Sequence, residues 1–506
     1  MGAILVIPLV TAALCYLLRN AKATGYVSLA GSAVLAGVSL PVILSALSAP
    51  IEMLRGTLYM DALSAFIMGM VVSLGLASAL YSIGYLEHEL QVNLTDERGI
   101  RRYYALLHLF IFTMLLVTVA NNLALMWIAI EATTIVSALL IGLGFYKRHL
   151  AIEAAWKYII LCTVGITFAL LGTFITYYAS TAVMGTEGAL NWTTLKGIAG
   201  RLNPSTMKLA FIFILVGYGT KAGLAPVHNW LPDAHSQAPS PISALLSGIL
   251  LNTAFYGVMR FVSIVEPSTG DIFTGNLLIL FGLISIGISS IFILVQDNYK
   301  RLLAYSSIEH MGIISLGAGI GGPVGVYGAL LHILNHALSK PLMFFASGKI
   351  QSRYGSTRIE NVRGVLSSMP LLGTLTFVGA LSLAGTPPFN IFISEFIILK
   401  AAVDKGLWPV VVIFLIFAVV VFYGILSGFG RMLFGKEVQG SERAEEKKNP
   451  GNENKALPDF RPSGVSDLLG NALMLVMTAL IIAFGFMVPD VVDSTIKSCV
   501  GILGVK

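Results

Sequence analysis

The chain has 506 residues, of which 56% are hydrophobic and only 11% are charged, and its formal net charge is +6. Soluble globular proteins carry about 25% charged residues, so this chain cannot cover its exterior with a water-facing surface. The composition therefore predicts an integral membrane protein. The three cysteines lack the spacing of redox or metal-binding motifs, which argues against a thiolate centre.

The predicted elements are apolar helices. A helix that crosses the bilayer core needs about 20 consecutive apolar residues. Stretches of this kind predict fourteen spans, near residues 2–18, 25–48, 58–82, 102–120, 121–141, 155–180, 207–228, 241–264, 273–295, 301–320, 323–348, 369–400, 407–430 and 466–488. We therefore predict an all-α fold, a polytopic transmembrane bundle of about 14 helices.

The distribution of lysine and arginine predicts the orientation. With the N-terminus outside, the inside loops collect 21 of these residues and the outside loops 7. Cytoplasmic loops carry such an excess of positive charge. We predict a multi-pass protein of a prokaryotic plasma membrane with both termini outside. The net positive charge is then a signal of topology, and it requires no nucleic-acid partner.

The chain also divides into segments. We predict N-terminal helices (1–100), a first half (101–265), a second half (266–434), a polar cytoplasmic loop (435–465), and a last membrane helix with a tail (466–506). A Gly-x-x-Pro break occurs in each half, at 223–226 and at 385–388. Paired broken helices are typical of transporters built from two inverted repeats.

Two charges lie deep within predicted spans. Glu131 is near the centre of one span, and Lys221 is in another, among three glycines. An ionisable side chain at bilayer depth costs roughly 3 to over 10 kcal/mol, so each needs a reason to be there. We interpret Glu131 and Lys221 as a pair that takes up and releases a proton. The alternative is a purely structural ion pair.

The span 323–348 carries His332, His336 and Lys340 at intervals of four residues. This spacing puts three titratable groups on one stripe of a helix. Histidine changes its charge near neutral pH, so the row indicates a proton relay. Two histidines four residues apart also occur at metal sites, but no HExxH glutamate or further ligand accompanies them in sequence, and we predict no metal or cofactor site.

Further polar residues lie in or beside the spans. Glu395 follows the second break and is a candidate for the end of the pathway. The secondary candidates, for which a helix end or a loop contact is an equally good explanation in some cases, are His228, Asn252, Glu309, His310 and Lys400.

Three long motifs identify a family resemblance. Residues 221–248 read KAGLAPVHNWLPDAHSQAPSPISALLSG, residues 300–312 read KRLLAYSSIEHMG, and residues 332–340 read HILNHALSK. These motifs resemble those of the antiporter-like subunits of respiratory complex I and of Mrp sodium/proton antiporters. The resemblance runs from about residue 60 to about residue 430.

Two shorter motifs resemble those of one branch of this family. IEATT at 130–134 and WKYIILCTVGI at 156–166 are most similar to the antiporter-like subunit of membrane-bound group 4 nickel–iron hydrogenases, with their hydrogenase-4 and formate hydrogenlyase relatives. The resemblance implies proton translocation, other membrane subunits as partners and a peripheral redox arm. Nickel–iron and iron–sulfur centres are expected on those partners, and this chain itself has no redox site.

The resemblance also assigns roles. Glu131 and Lys221 match the glutamate–lysine pair of the first half-channel, the row at 332–340 matches the central relay, and Glu395 matches the residue at the outer exit. Many relatives carry a lysine where this chain has Asn252, which cannot titrate. A water chain or His332 would have to cross that gap.

The function predicted is therefore that of a proton-translocating subunit of a redox-driven complex, in the lipid bilayer. Two alternatives stay open. One is a subunit of an Mrp-type sodium/proton antiporter, and the other is a structural membrane scaffold whose charges only hold helices together.

Overall fold

The computed structural model describes residues 1–143, 149–434 and 465–504, and this part of the chain is predominantly helical. The predicted polar loop 435–465 lies outside the described residues except for Val465, where a helix begins. The helices are α1 (Gly2–Leu17), α2 (Ala21–Ser48), α3 (Ala62–Gln91), α4 (Glu97–Val119), α5 (Leu123–Ala138), α6 (His149–Met184), α7 (Trp192–Ile198), α8 (Pro204–Ala222), α9 (Leu231–Gln237), α10 (Ser240–Leu245), α11 (Leu251–Thr269), α12 (Asp271–Leu294), α13 (Tyr299–Ile320), α14 (Gly322–Tyr354), α15 (Val365–Ser368), α16 (Pro370–Leu383), α17 (Asn390–Asp404), α18 (Trp408–Phe434), α19 (Val465–Phe486) and α20 (Asp490–Leu503).

Two π-helical segments extend this list, Leu139–Leu143 after α5 and Leu246–Leu250 between α10 and α11. Short 3-10 turns lie at Ala199–Arg201 and Ile359–Asn361. Because the second π segment joins its neighbours without a break, α10 and α11 form one continuous span, Ser240–Thr269.

Each predicted apolar stretch coincides with a helix or a helix pair. In the part of the chain that the structure describes, nine helical stretches are long and apolar enough to cross a membrane. The prediction of a helical membrane protein is confirmed. The predicted number of about 14 exceeds nine because the other stretches are short, interrupted or richer in polar residues, as α1, α16 and α14 illustrate.

Asparagine and aspartate determine where several helices begin. A side-chain oxygen at the N-cap accepts a hydrogen bond from a backbone N–H that the first turn leaves unpaired. This cap is present at Asp61 before α3, Asp96 before α4, Asn122 before α5, Asn203 before α8 and Asn298 before α13. These polar N-cap residues therefore lie at the start of the helices.

A small β-hairpin departs from the all-α prediction. Strands β1 (Ile51–Met53) and β2 (Leu58–Met60) pair antiparallel, with Ile51 opposite Met60. The turn uses left-handed backbone at 54–56 that ends on Gly56 with φ +81°. The sequence analysis assigned residues 58–60 to a membrane span because three apolar residues do not distinguish a strand from a helix start.

Both predicted helix breaks are present. α8 ends at Ala222 and is followed by Gly223 with φ +78°, and α16 ends at Leu383 shortly before Gly385 with φ +65°. This left-handed conformation favours glycine because it lacks a Cβ. Each break contains a cis peptide before proline, at Pro226 and at Pro388. The breaks leave Lys221 in the last turn of α8 and put Glu395 in the second turn of α17.

Glycines bring α12 and α13 into backbone contact. A Cβ added to Gly282 would lie 2.7 Å from the Gly312 carbonyl oxygen, and one added to Gly275 would lie 2.6 Å from that of Gly319. Small residues allow this approach in a bilayer, where lipid removes the hydrophobic drive between helices. The close packing holds α13, which carries His310, firmly against its neighbour.

A buried ion pair joins the start of α3 to α11. Arg260 donates two hydrogen bonds to the Asp61 carboxylate, at 2.7 and 2.6 Å, and a third to Ser64 at 2.9 Å. The guanidinium also lies 4.2 Å from the ring centroid of Trp192. Both charges are almost fully buried, so each depends on the other for solvation.

We expect Asp61→Ala to lower the free energy of unfolding by about 3–5 kcal/mol, because it leaves Arg260 buried without its counter-ion. Thermal unfolding in detergent or nanodiscs measures the change. Asp404→Ala is the control, since it removes an exposed i,i+4 pair with Lys400 that contributes at most about 1 kcal/mol. Equal losses in the two variants would contradict the importance of the buried pair.

Candidate functional site

Lys221 is fully enclosed at the end of α8, with 1% of its surface exposed. Its Nζ donates to Thr134 Oγ1 of α5 at 2.9 Å and to the Tyr158 hydroxyl of α6. The same ammonium group lies 4.6 Å from the centroid of the Tyr158 ring. In the described chain Lys221 makes no ion pair, so neutral oxygens and an aromatic face are its surroundings.

Glu131 is connected to Lys221 through a hydroxyl. Thr163 donates to one carboxylate oxygen at 2.8 Å, and Thr134 donates to the other at 3.2 Å. Thr134 therefore bridges Glu131 and Lys221. The sequence analysis expected the two to pair; the structure shows a relay of three groups, because Thr134 follows Glu131 by about one helical turn on the same face.

Three histidines meet at the contact of α13 and α14. His310 Nδ1 lies 3.1 Å from His332 Nε2, and the rings of His310 and His336 are 5.4 Å apart between centroids. All three side chains are completely buried. The stripe predicted on α14 is therefore present, and His310 of α13 contributes a third imidazole to it.

Asn252 borders this histidine cluster. Its Nδ2 donates to the Gly248 carbonyl at 2.8 Å and lies 3.5 Å from His336 Nδ1. The π-helical segment Leu246–Leu250 comes just before it. Single π turns are frequent at functional sites. The neighbour of Asn252 is thus His336, whereas the sequence analysis had considered a water chain or His332 at this point.

Lys340 is the second enclosed lysine, with 0% exposure. Its Nζ donates to the Leu303 carbonyl at 3.0 Å and to Ser306 Oγ, both on α13. Ser307, the next residue, continues the polar contacts by a 2.8 Å bond to Ser247. Among the residues described, Lys340 has no carboxylate in an ion pair.

Two carboxylates complete the cluster. Glu395 of α17 is partly exposed, and its carboxylate lies against Gly385 in the second break. Its neighbour Ser394 is 3.0 Å from His332 Nδ1. Glu309 is 4% exposed, and its Oε2 is 3.5 Å from His310 Nδ1. The site therefore contains imidazoles, an amine and carboxylates from three helices, α13, α14 and α17, with the Asn252 amide of α11 beside them.

Comparison with known proteins identifies the family. Residues 120–421 match the transmembrane family described as NADH:quinone oxidoreductase/Mrp antiporter, and residues 54–104 match the N-terminal family of complex I chain 5. The chain belongs to the NADH:quinone oxidoreductase/Mrp antiporter family. It is an antiporter-like membrane subunit, as the sequence predicted.

Individual proteins similar to this chain are consistent with membership of this antiporter family. The chain is 42% identical to a "Hydrogenase-4 component F homolog" of Methylacidiphilum infernorum over 335 residues, which are 66% of this chain and 70% of that one. It is similar to a subunit of the archaeal membrane-bound sulfane sulfur reductase, with TM-score 0.81, 25% identity and coverage of 100% and 99% of the two chains. A chain of the Mrp complex of Dietzia sp. DQ12-45-1b has the same fold, with TM-score 0.82, 19% identity and coverage of 99% and 97%.

Two secondary candidates lie apart from the cluster in this antiporter-family chain. Lys400 is 56% exposed and pairs with Asp404 at 2.5 Å. His228 is buried in the break after α8, where the described residues provide it no hydrogen bond to Lys221 or to the three histidines. The other candidates, Asn252, Glu309 and His310, join the site.

Sequence reasoning missed the hydroxyl groups that contact the titratable residues. Thr134, Tyr158, Ser306 and Ser394 make the bonds to Glu131, Lys221, Lys340 and His332. One signal was available for Thr134 and Ser394, which lie within one turn of a candidate acid. The contacts of Tyr158 and Ser306 cross between helices, and no local spacing indicates them.

We expect Gly385→Ala to displace the Glu395 carboxylate, because the new Cβ would occupy its position. Infrared spectroscopy of the carboxyl stretch, identified with Glu395→Gln, measures the change. Gly406→Ala is the matched control, since Gly406 has φ +70° but open space around its Cβ position. Both variants bear a backbone cost of about 1–2 kcal/mol. An unchanged Glu395 signal in Gly385→Ala would contradict the contact.

Proposed function

We propose that this antiporter-like subunit translocates protons within a redox-driven respiratory complex, namely a membrane-bound hydrogenase. The observation that carries the proposal is the pair of enclosed lysines, Lys221 and Lys340, neither of which forms an ion pair in the described part of the chain. A lysine that only stabilised the fold would be expected to have a carboxylate beside it.

The hydrogen-bond partners of the two lysine amines in the described chain are neutral groups, and this makes their positive charge costly. A charged lysine at bilayer depth costs at least about 2.5–3.5 kcal/mol. Hydroxyl and carbonyl oxygens accept hydrogen bonds from an ammonium group but supply no negative charge. Lys221 and Lys340 are therefore enclosed amines with neutral hydrogen-bond partners, and desolvated lysines of this kind serve as proton carriers.

The hydrogen bonds and short distances between these residues support a proposed route for the proton. In this proposal Glu131, Thr134 and Lys221 form the switch of the first half, and a water chain leads from Lys221 towards Asn252. His336 follows Asn252, and Lys340 is one turn further along α14. His310 and His332 continue the route to Glu395, from which the proton leaves on the outer side.

The topology is part of the same proposal. We infer about 14 crossings, two inverted repeats at 101–265 and 266–434, and both termini outside a prokaryotic plasma membrane. The matching breaks at Gly223 and Gly385 support the repeats, because each has a glycine with positive φ three residues before a proline. The excess of positive charge on one set of loops supports the orientation.

An exposed lateral face formed by α5 and α6 supports the proposal that other membrane subunits bind this chain. Glu131 is partly exposed, and Thr163 and Thr167 of α6 are exposed beside it. Ile128 and Ile135 on the same side of α5 are 53% and 57% exposed, so the polar groups lie within an apolar lateral face. A carboxylate that faced lipid would be expensive. We propose that another membrane subunit covers this face.

The redox partner is proposed from the relatives. One relative is named as a hydrogenase-4 component, and one similar structure is that of a sulfur reductase from a respiratory membrane complex. A peripheral arm with nickel–iron and iron–sulfur centres would then supply the energy. Electrostatics provides a coupling: a charge that moves near Lys221 changes its proton affinity, and a tenfold change corresponds to about 1.4 kcal/mol.

Proton uptake into reconstituted vesicles tests the central claim. With a potassium diffusion potential as the driving force and a trapped pH dye as the readout, we expect Lys221→Met and Lys340→Met each to reduce the flux at least tenfold. Lys22→Met, which alters an exposed lysine paired with Glu87, is the control and should retain the flux. If the variant that combines Lys221→Met with Lys340→Met retained normal proton flux and normal assembly, the result would favour a structural scaffold instead.

The composition of the native complex tests the redox partner. We expect the purified complex to contain hydrogenase subunits, nickel and iron, as detected by mass spectrometry and elemental analysis. A crosslinker attached at Thr167→Cys should capture a second membrane subunit. Companions that consist only of Mrp-type subunits, with no redox metal, would replace the hydrogenase proposal by the sodium/proton antiporter.

A further inference from the structure

His310, His332 and Glu395 form a compact set of potential metal ligands. One ligand atom from each residue lies within 4.8 Å of the other two. The three residues come from α13, α14 and α17, so no sequence spacing relates them. In the sequence, only the spacing of His332 and His336 is of the kind found at metal sites, and no metal site was predicted.

The separation of the two imidazole nitrogens fits a shared ion. His310 Nδ1 and His332 Nε2 are 3.1 Å apart. Two imidazole nitrogens bound to one tetrahedral Zn²⁺, each at about 2.0–2.1 Å, are about 3.3 Å from one another. To accept an ion between the two rings, the nitrogens would separate slightly and the proton that His310 Nδ1 shares with His332 Nε2 would move to His310 Nε2, which has no hydrogen-bond partner among the described residues.

Hydrogen bonding prepares the His332 tautomer. Ser394 donates its only hydroxyl hydrogen to the Ile391 carbonyl at 2.9 Å. Towards His332 Nδ1, 3.0 Å away, the serine oxygen is therefore the acceptor, and Nδ1 carries the proton. The lone pair of His332 is then on Nε2, which faces His310. Metal-binding histidines are oriented by such a bond to their second nitrogen.

An unpartnered carboxylate points into the same cluster. Glu309 Oε2 is buried and has no hydrogen-bond partner among the described residues, and it lies 3.5 Å from His310 Nδ1. A buried carboxylate oxygen without a partner costs free energy that a cation would recover. Glu309 is thus available as an acceptor for a metal-bound water.

The donor set and its charge favour one class of ion. Imidazole nitrogen with carboxylate oxygen suits Zn²⁺ and similar transition ions, whereas Mg²⁺ and Ca²⁺ prefer oxygen alone. Two neutral imidazoles and two carboxylates would neutralise a divalent ion, which lowers the cost of holding it at bilayer depth.

We propose that His310, His332 and Glu395, assisted by Glu309, form a binding site for a divalent transition ion of the zinc class. The ion occupies the lone pairs through which the histidines would pass a proton. Bound Zn²⁺ therefore blocks the pathway. Only this last consequence rests on the proposed function; the binding site itself does not.

Zinc retention by the purified full-length protein in nanodiscs tests the site. After incubation with Zn²⁺ and desalting, we expect about one zinc per chain in the wild type and at least about 100-fold weaker binding in His332→Gln and Glu395→Gln. His108→Gln is the matched control, because His108 is equally buried but bonds to Ser28 in another part of the bundle. It should retain the zinc.

Two further measurements apply if a ligand variant fails to fold. X-ray absorption of the zinc-loaded wild type should show two imidazole nitrogens and carboxylate oxygen at about 2.0–2.2 Å. Ser394→Ala, which removes the hydroxyl that contacts His332 and Asn335 but no proposed ligand, should weaken binding about 10-fold. A wild type that retains no zinc, a spectrum without imidazole, or zinc retained by His332→Gln would overturn the site.

The vesicle assay separates the two proposals. We expect Zn²⁺ to slow proton uptake by the wild type and a chelator to restore it. Normal uptake with zinc bound would remove these histidines from the proton route and would leave the metal site intact. Failure of zinc to bind while uptake depends on Lys221 and Lys340 would reject the metal site alone.

Discussion

The absence of water at bilayer depth is the constraint on which this structure depends. A polar group inside the bundle must find its partner within the protein, because lipid offers none. The Asp61–Arg260 pair satisfies this requirement fully, with three hydrogen bonds and an aromatic ring around one guanidinium. Within the described residues, Lys221 and Lys340 bond to neutral oxygens and form no ion pair. The same constraint therefore distinguishes the paired charges of Asp61 and Arg260 from the two lysines that the proposed pathway uses.

The helix breaks explain how the fold brings these groups together. Gly223 and Gly385 end their helices in left-handed conformations and redirect the chain inside the bundle. Lys221 precedes the first break by two residues, and the Glu395 carboxylate lies against the second. Close glycine contacts pack α13 against α12, and on α13 His310 contacts His332 of α14. The site is thus made by interruptions of helices within a rigid frame.

Proton transfer and metal binding draw on the same property of the cluster. A lone pair on His332 Nε2 accepts a proton or coordinates an ion, and the Ser394 bond that fixes the tautomer serves either purpose. Neither use needs a new residue. The proposed pathway would for that reason be open to inhibition by transition ions, since the histidines and carboxylates proposed to relay protons are also metal ligands.

The local sequence was sufficient to predict the membrane class, the helical stretches and both helix breaks, because hydropathy and glycine–proline spacing act within a few residues. Helical periodicity likewise predicted the stripe of His332, His336 and Lys340. The long motifs were sufficient to indicate the family. The local sequence was insufficient for the β-hairpin, whose strands are too short to have a period. Only the tertiary structure inserted Thr134 between Glu131 and Lys221, brought Asn252 to His336, left Lys400 at the surface and joined His310, His332 and Glu395 into one cluster. Those contacts join separate helices, and how helices pack against one another depends on side-chain shape across the whole bundle rather than on local spacing.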